Sequence, residues 1–179
     1  MNTPSSSKNA SSRSRLSEIL STHEAELLTQ WMDEQLSAGS RRKDLMKESE
    51  LRDQSRQFLT LLRSAASNGN LTDTSRAEWT PVREFIAEIS RTRASQGFNP
   101  SETATFIFSL RAPLLDPLIK HPDGAADLRA ATVLMDKLGL HTVEEYQKSR
   151  KRSSTASSRK CSSCPPRWCG CSKVSWRCP

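Results

Sequence analysis

No apolar run in this 179-residue chain approaches the roughly 20 residues that a membrane-spanning helix needs. The opening Met1-Asn2-Thr3-Pro4-Ser5-Ser6-Ser7-Lys8 contains no hydrophobic segment of the kind a secretion signal requires. A membrane partner is excluded on this reading, and a cytoplasmic location is expected. No cysteine precedes Cys161, so a disulfide framework or thiolate metal site in the body is excluded. Aromatic residues make up only 6% of the chain and hydrophobic residues 35%, which leaves part of it outside any core. Nothing alternates with a period of two for any length, so no strand is expected.

The net charge of +7 is unevenly placed. Seven basic residues and no acid follow Arg150: Lys151, Arg152, Arg159, Lys160, Arg167, Lys173 and Arg177. The remaining 20 Lys and Arg balance 20 Asp and Glu, so the body is neutral and the tail carries the whole excess. All 5 cysteines lie in that tail as well. Two kinds of sequence are joined near residue 150.

The body reads as about six helices. A Ser-rich leader, residues 1–14, lacks apolar residues and is expected to be disordered. Helix one, about Arg15 to Ala38, places Leu16, Leu20, His23, Leu27 and Trp31 on one stripe, widened by Ile19 and Leu28. Gly39 ends it, and Arg41-Arg42-Lys43 forms a solvated basic loop. His23 reads as a half-buried packing residue. Helix two, about Lys47 to Ser67, buries Leu51, Phe58, Leu59, Leu62 and Ala66, with Arg52, Asp53, Arg56 and Arg63 opposite. Asn68-Gly69-Asn70 is a loop signal.

Thr80-Pro81 supplies a cap and first-turn proline for helix three, which buries Val82, Phe85, Ile86 and Ile89 behind Trp79. Helix four starts at Pro100 and aligns Phe106, Ile107, Leu110 and Leu114, with Pro113 bending or ending it. Pro117 and His121-Pro122-Asp123-Gly124 close that region. Helix five, about Ala125 to Leu138, turns Leu128, Ala131, Leu134, Met135 and Leu138 inward and stops at Gly139. Thr142, with Glu145 in capping-box position, opens a last helix from Val143 to Arg150.

The sharpest local signal is Gly97-Phe98-Asn99-Pro100-Ser101-Glu102-Thr103. Gly97 suits a left-handed helix end, Asn99 with Glu102 makes a capping-box pattern, and Pro100 falls in the first turn. Phe98 packs back as a staple. Gly97, Phe98, Asn99, Pro100 and Glu102 thus form a structural hinge with no nucleophile, base or metal-ligand set.

Trp31, Trp79, the Ser90-Arg91-Thr92-Arg93-Ala94 segment, the hinge motif, Leu138-Gly139-Leu140 and Tyr146 together resemble the N-terminal sensory domain of RsbR-type proteins. Those proteins are the RsbT co-antagonists of bacterial stressosomes. The resemblance runs from about Leu16 to Arg150 and implies a haem-free, globin-like helical bundle that forms a homodimer. It also implies related stressosome proteins as partners, reached through a C-terminal STAS domain that follows the sensory domain by a continuing helix. In place of that domain stands the tail of residues 151–179.

Cys161-x-x-Cys164 is half of a zinc pattern, but Cys169-x-Cys171 has the wrong spacing to complete it, and Cys178 stands alone. Read one frame over, using the third base of each codon with the first two of the next, Lys151 to Pro179 permits EVINRQQQEMLELSTPVVRLFEGVLALP without a stop. That product is similar to the linker helix and first strand that follow the domain in the family. A single-base frameshift near codon 151 accounts for the change in composition, and on this reading the cysteines carry no evolved function.

The leading functional expectation is a non-catalytic regulatory sensor and dimerisation module with no cofactor. A haem- or gas-binding globin-like sensor is the first alternative, with His23, His121 and His141 as candidate axial ligands. A nucleic-acid binder is the second, resting on the basic tail with Trp168 and Trp176 alone. An enzyme ranks last. Glu84 and Glu88, or Glu144 and Glu145, are spaced as solvated faces or caps, and no phosphate loop or nucleophile-base pair appears.

Overall fold

The computed structural model describes residues 15–37, 46–68, 70–120 and 124–160, with the backbone alone for residues 68 and 153–160. The leader, Gly39, the Arg41-Arg42-Lys43 run, Gly69, His121-Pro122-Asp123 and all five cysteines lie outside the described residues. Seven α-helices and one 3₁₀ turn form the described part, and it contains no strand. They are α1 Arg15–Thr22, α2 Glu24–Ser37, α3 Glu48–Asn68, the 3₁₀ turn Ala77–Trp79, α4 Thr80–Gln96, α5 Pro100–Phe108, α6 Arg111–Ile119 and α7 Ala125–Lys160. The fold is all-α.

The apolar stripes meet in one core. Trp31, Phe58 and Phe106 form its aromatic centre, with ring centroids 4.9 to 5.7 Å apart. Phe85 joins through Phe58 at 6.1 Å. Offset and edge contacts of this kind add to plain area burial. Trp79 is fully buried and its indole N–H donates to the Asn70 carbonyl at 3.1 Å, anchoring the loop after α3.

The first expected helix is two helices. Ser21 Oγ donates to the Ser17 and Glu18 carbonyls at 2.8 and 2.9 Å near the end of α1. The chain bends at His23, between α1 and α2. There His23 is exposed and faces Glu26 at 3.3 Å, so it is not the half-buried packing residue its place on the stripe predicts.

The fourth expected helix is also divided. Pro113 has no N–H to return to the Ser109 carbonyl, and Leu110 N–H bonds Ile107 instead of Phe106. Trp31 Nε1 fills the gap, donating to the Phe106 carbonyl and to Ser109 Oγ, both at 3.0 Å. The break between α5 and α6 is thus closed from α2, in the middle of the core. At the start of α4 the cap position is Trp79, not Thr80; Pro81 does lie in the first turn.

The last two expected helices are one. α7 runs 36 residues, about 54 Å at the usual rise, straight through Gly139. Gly139 is a packing residue: a Cβ there would collide with the Phe108 ring. Thr142 is buried within the helix and bonds the Leu138 carbonyl at 2.8 Å instead of capping a new one. Glu145, expected to complete a cap, instead accepts from Lys148 at 2.7 Å. α4, α5 and α6 all pack on α7, which makes it the spine of the fold.

Candidate functional site

The hinge connects α4 and α5 against that spine. Gly97 has φ +90°, and its N–H bonds the Arg93 carbonyl, which Phe98 N–H also reaches at 3.0 Å. A left-handed residue closing a helix with shared carbonyls is the glycine stop the sequence calls for. Asn99 Oδ1 accepts from Glu102 N–H and Glu102 Oε2 accepts from Asn99 N–H, both at 2.7 Å. Pro100 occupies the first turn of α5, and the Phe98 side chain is buried. Tyr146 Oη on α7 then donates to the Phe98 carbonyl at 2.6 Å, in a buried position.

One turn before the glycine lies Arg93, whose surface is only 4% exposed. Its guanidinium carbon stands 4.6 Å from the Phe106 ring centroid and 5.7 Å from that of Phe98. Stacking on aromatic faces suits guanidinium, the most weakly hydrated of the protein cations. Among the described residues its hydrogen bonding is sparse. Nη2 donates to Gln54 Oε1 at a long 3.4 Å, and Nε has no partner. Burial pushes its pKa down to about 10, while the charge of Glu50 works in the opposite direction. Arg93 therefore remains a cation at neutral pH, desolvated and, among the described residues, without a hydrogen-bonded counter-charge.

Beside it opens a cavity of about 290 Å³ between α2, the start of α3, the hinge and α5. Leu36, Met46, Leu51, Phe98 and Phe106 give it apolar walls, and Arg93 is the buried cation in them. Glu102, which also borders it, is held in the capping box. The size falls at the small end of ligand pockets.

The sequence marks Arg93 only as part of a motif. Its burial was legible, because Val82, Ile86, Ile89 and Arg93 follow the three-four spacing of the inward face of α4.

The two described candidate haem ligands, His23 and His141, border different cavities. His23 borders a cavity near Arg15 and Leu118, whereas His141 borders another with Thr74, Arg83 and Lys137. His141 Nε2 is buried without a partner among the described residues. His121 lies outside those residues, as do Cys161, Cys164, Cys169 and Cys171 of the possible zinc pattern. Glu84, Glu88 and Glu144 are exposed on helix surfaces.

The family model for the RsbT co-antagonist protein rsbRD N-terminal domain matches residues 25–160. The chain belongs to this family. The match takes in α2 to α7, hence the hinge, Arg93 and Tyr146, and ends with the last residue of α7. This RsbRD N-terminal domain is a stress-signalling domain, regulatory rather than catalytic. No curated protein and no solved structure matches the chain. None of the described helices is long and apolar enough to cross a membrane.

Proposed function

We propose that the helical domain is a sensory and dimerisation module of a stressosome-type system, and that its signal leaves along α7. The observation that carries this reading is the continuity of α7. One rigid helix packs on α4, α5 and α6, receives the hinge through Tyr146, and runs on to Lys160. A repacking at the hinge would rotate or shift this helix as a unit, the usual way a packed interface passes a change onward. In the family plan the recipients are a STAS domain and related stressosome proteins.

The dimer face we favour includes α7. Leu140 is 63% exposed, and Val133, seven residues earlier on the same face, is 37% exposed. Phe108 lies over Gly139 beside Leu140 and is 40% exposed. Large apolar side chains clustered on one surface mark an association site more often than chance exposure does. Size-exclusion chromatography with light scattering tests it. A dimer that Leu140→Glu converts to monomer supports the reading, and a wild-type monomer at high concentration refutes it.

We read the residues after about 151 as out-of-frame product, because charge balance and cysteine content change there together; the last ten residues of α7 and of the family match fall in that segment, so the in-frame part of the helix is residues 125–150. The DNA downstream decides: a STAS reading frame in the neighbouring phase supports this, and its absence ends it.

A further inference from the structure

A buried arginine without a bonded anion is costly, because the charge has left water and nothing of opposite sign replaces it. In this domain the cost is placed beside an open cavity. Arg93 Nε has no partner among the described residues, and Nη2 meets only the neutral Gln54 amide at 3.4 Å. Glu50 acts on Arg93 through its charge without a hydrogen bond, and the carboxylates that border the cavity have other partners. Glu102 accepts the Asn99 N–H at 2.7 Å, and Glu48 pairs with Arg52 at 3.9 Å.

We propose that this cavity binds a small monocarboxylate with an apolar body, its carboxylate on the Arg93 guanidinium and its body against Leu36, Met46 and Leu51. Arg93 is the buried cation of the wall and matches one negative charge; Lys47, the other cation of the lining, is exposed to solvent. A phosphate dianion would face Glu48 and Glu102 across the same space, and like charges at that range oppose it. The volume of about 290 Å³ is roughly twice the 150 Å³ that holds a benzene ring, so a ring with a carboxylate and a few more atoms fits. Guanidinium meets a carboxylate through paired N–H donors, the geometry lysine does not offer. The site sits one turn from the hinge, whose Phe98 carbonyl is bonded to Tyr146 on α7. Transmission along α7 rests on the sensory reading above; binding at Arg93 does not.

The test titrates the full chain, at pH 7, with sodium benzoate, with neutral benzamide and with inorganic phosphate. The Arg93 Nε–H resonance is followed by NMR, with thermal unfolding in parallel. Benzoate is expected to shift that resonance saturably and raise the melting temperature, while benzamide and phosphate do neither. Arg93→Met is expected to weaken benzoate about tenfold or more while its own melting temperature does not fall. The proposal is overturned if benzoate leaves the Arg93 resonance unmoved, if benzamide or phosphate matches it, or if Arg93→Met retains the affinity. Benzoate binding that leaves every α7 amide after Tyr146 unshifted would uphold the site and refute transmission along α7.

Discussion

Tyr146 Oη and the Phe98 carbonyl, 2.6 Å apart and buried, tie the last helix to the one turn among the described residues that has a left-handed residue. The α4 end already uses the Arg93 carbonyl twice, for Gly97 and Phe98. The Phe98 carbonyl has only Tyr146 to satisfy it among the described residues. Tyr146→Phe keeps the ring and strands the carbonyl. We expect a loss of about 1–3 kcal/mol, read as a lower urea midpoint with an unchanged slope.

Asn99 and Gly97 act on the two helices that flank the same turn. Asn99→Ala removes the acceptor for Glu102 N–H and should cost about 1 kcal/mol. Gly97→Ala leaves space untouched, since no atom lies within 4 Å of a Cβ there, but forces an L side chain to φ +90°. A penalty of about 1 kcal/mol is expected from backbone conformation alone. Chemical unfolding of each variant and of the pair checks both. Because the two substitutions share a turn, their effects should not simply add.

Gly139 and Phe108 make a contact that only glycine permits, but Phe108 is partly exposed and its ring can swing outward. Gly139→Ala gains about 1 kcal/mol of helix propensity and loses the ring contact, so the change in wild type should be small. In a Phe108→Ala background the obstruction is gone. There Gly139→Ala should stabilise by about 1 kcal/mol, and a double-mutant cycle would show the coupling. Equal effects in both backgrounds would mean the ring does not restrain the site.

The buried faces were legible in the sequence because three-four spacing survives every change of helix boundary. Leu51 to Ala66, Val82 to Ile89 and Ala131 to Leu138 all point inward as that spacing requires. The hinge was legible for a different reason: its stop, its cap and its first-turn proline are local chemistry within seven residues. Boundaries set by distant contacts were not. Gly139 looks like a stop until Phe108, 31 positions earlier, is seen lying on it. The break at Ser109 gains its stability from Trp31, across the core. His23 fits the apolar period but falls where the chain bends between α1 and α2. Arg93 could have been placed inside from its period; its lack of a bonded counter-charge depends on where Gln54, Glu48 and Glu102 come to rest.

Arg93 makes the strongest prediction about stability. Burial lowers its pKa to about 10, below its value in the unfolded chain, so the folded state holds its proton less tightly. Between those two values the unfolded state binds more protons, and stability attributable to Arg93 rises with pH. Below about pH 10 the full desolvation cost remains, offset in part by the stacking on Phe106 and Phe98 and by Glu50. Arg93→Met fills similar volume without the charge and should stabilise the ligand-free domain at pH 7 by about 1–3 kcal/mol. The gap between variant and wild type should narrow as the pH is raised above 10, where loss of the proton relieves the wild type. Urea unfolding of both proteins at pH 7 and at pH 10.5 measures it. A destabilised Arg93→Met protein would show that the stacked cation contributes more than its burial costs, and would make Arg93 a packing residue of the hinge.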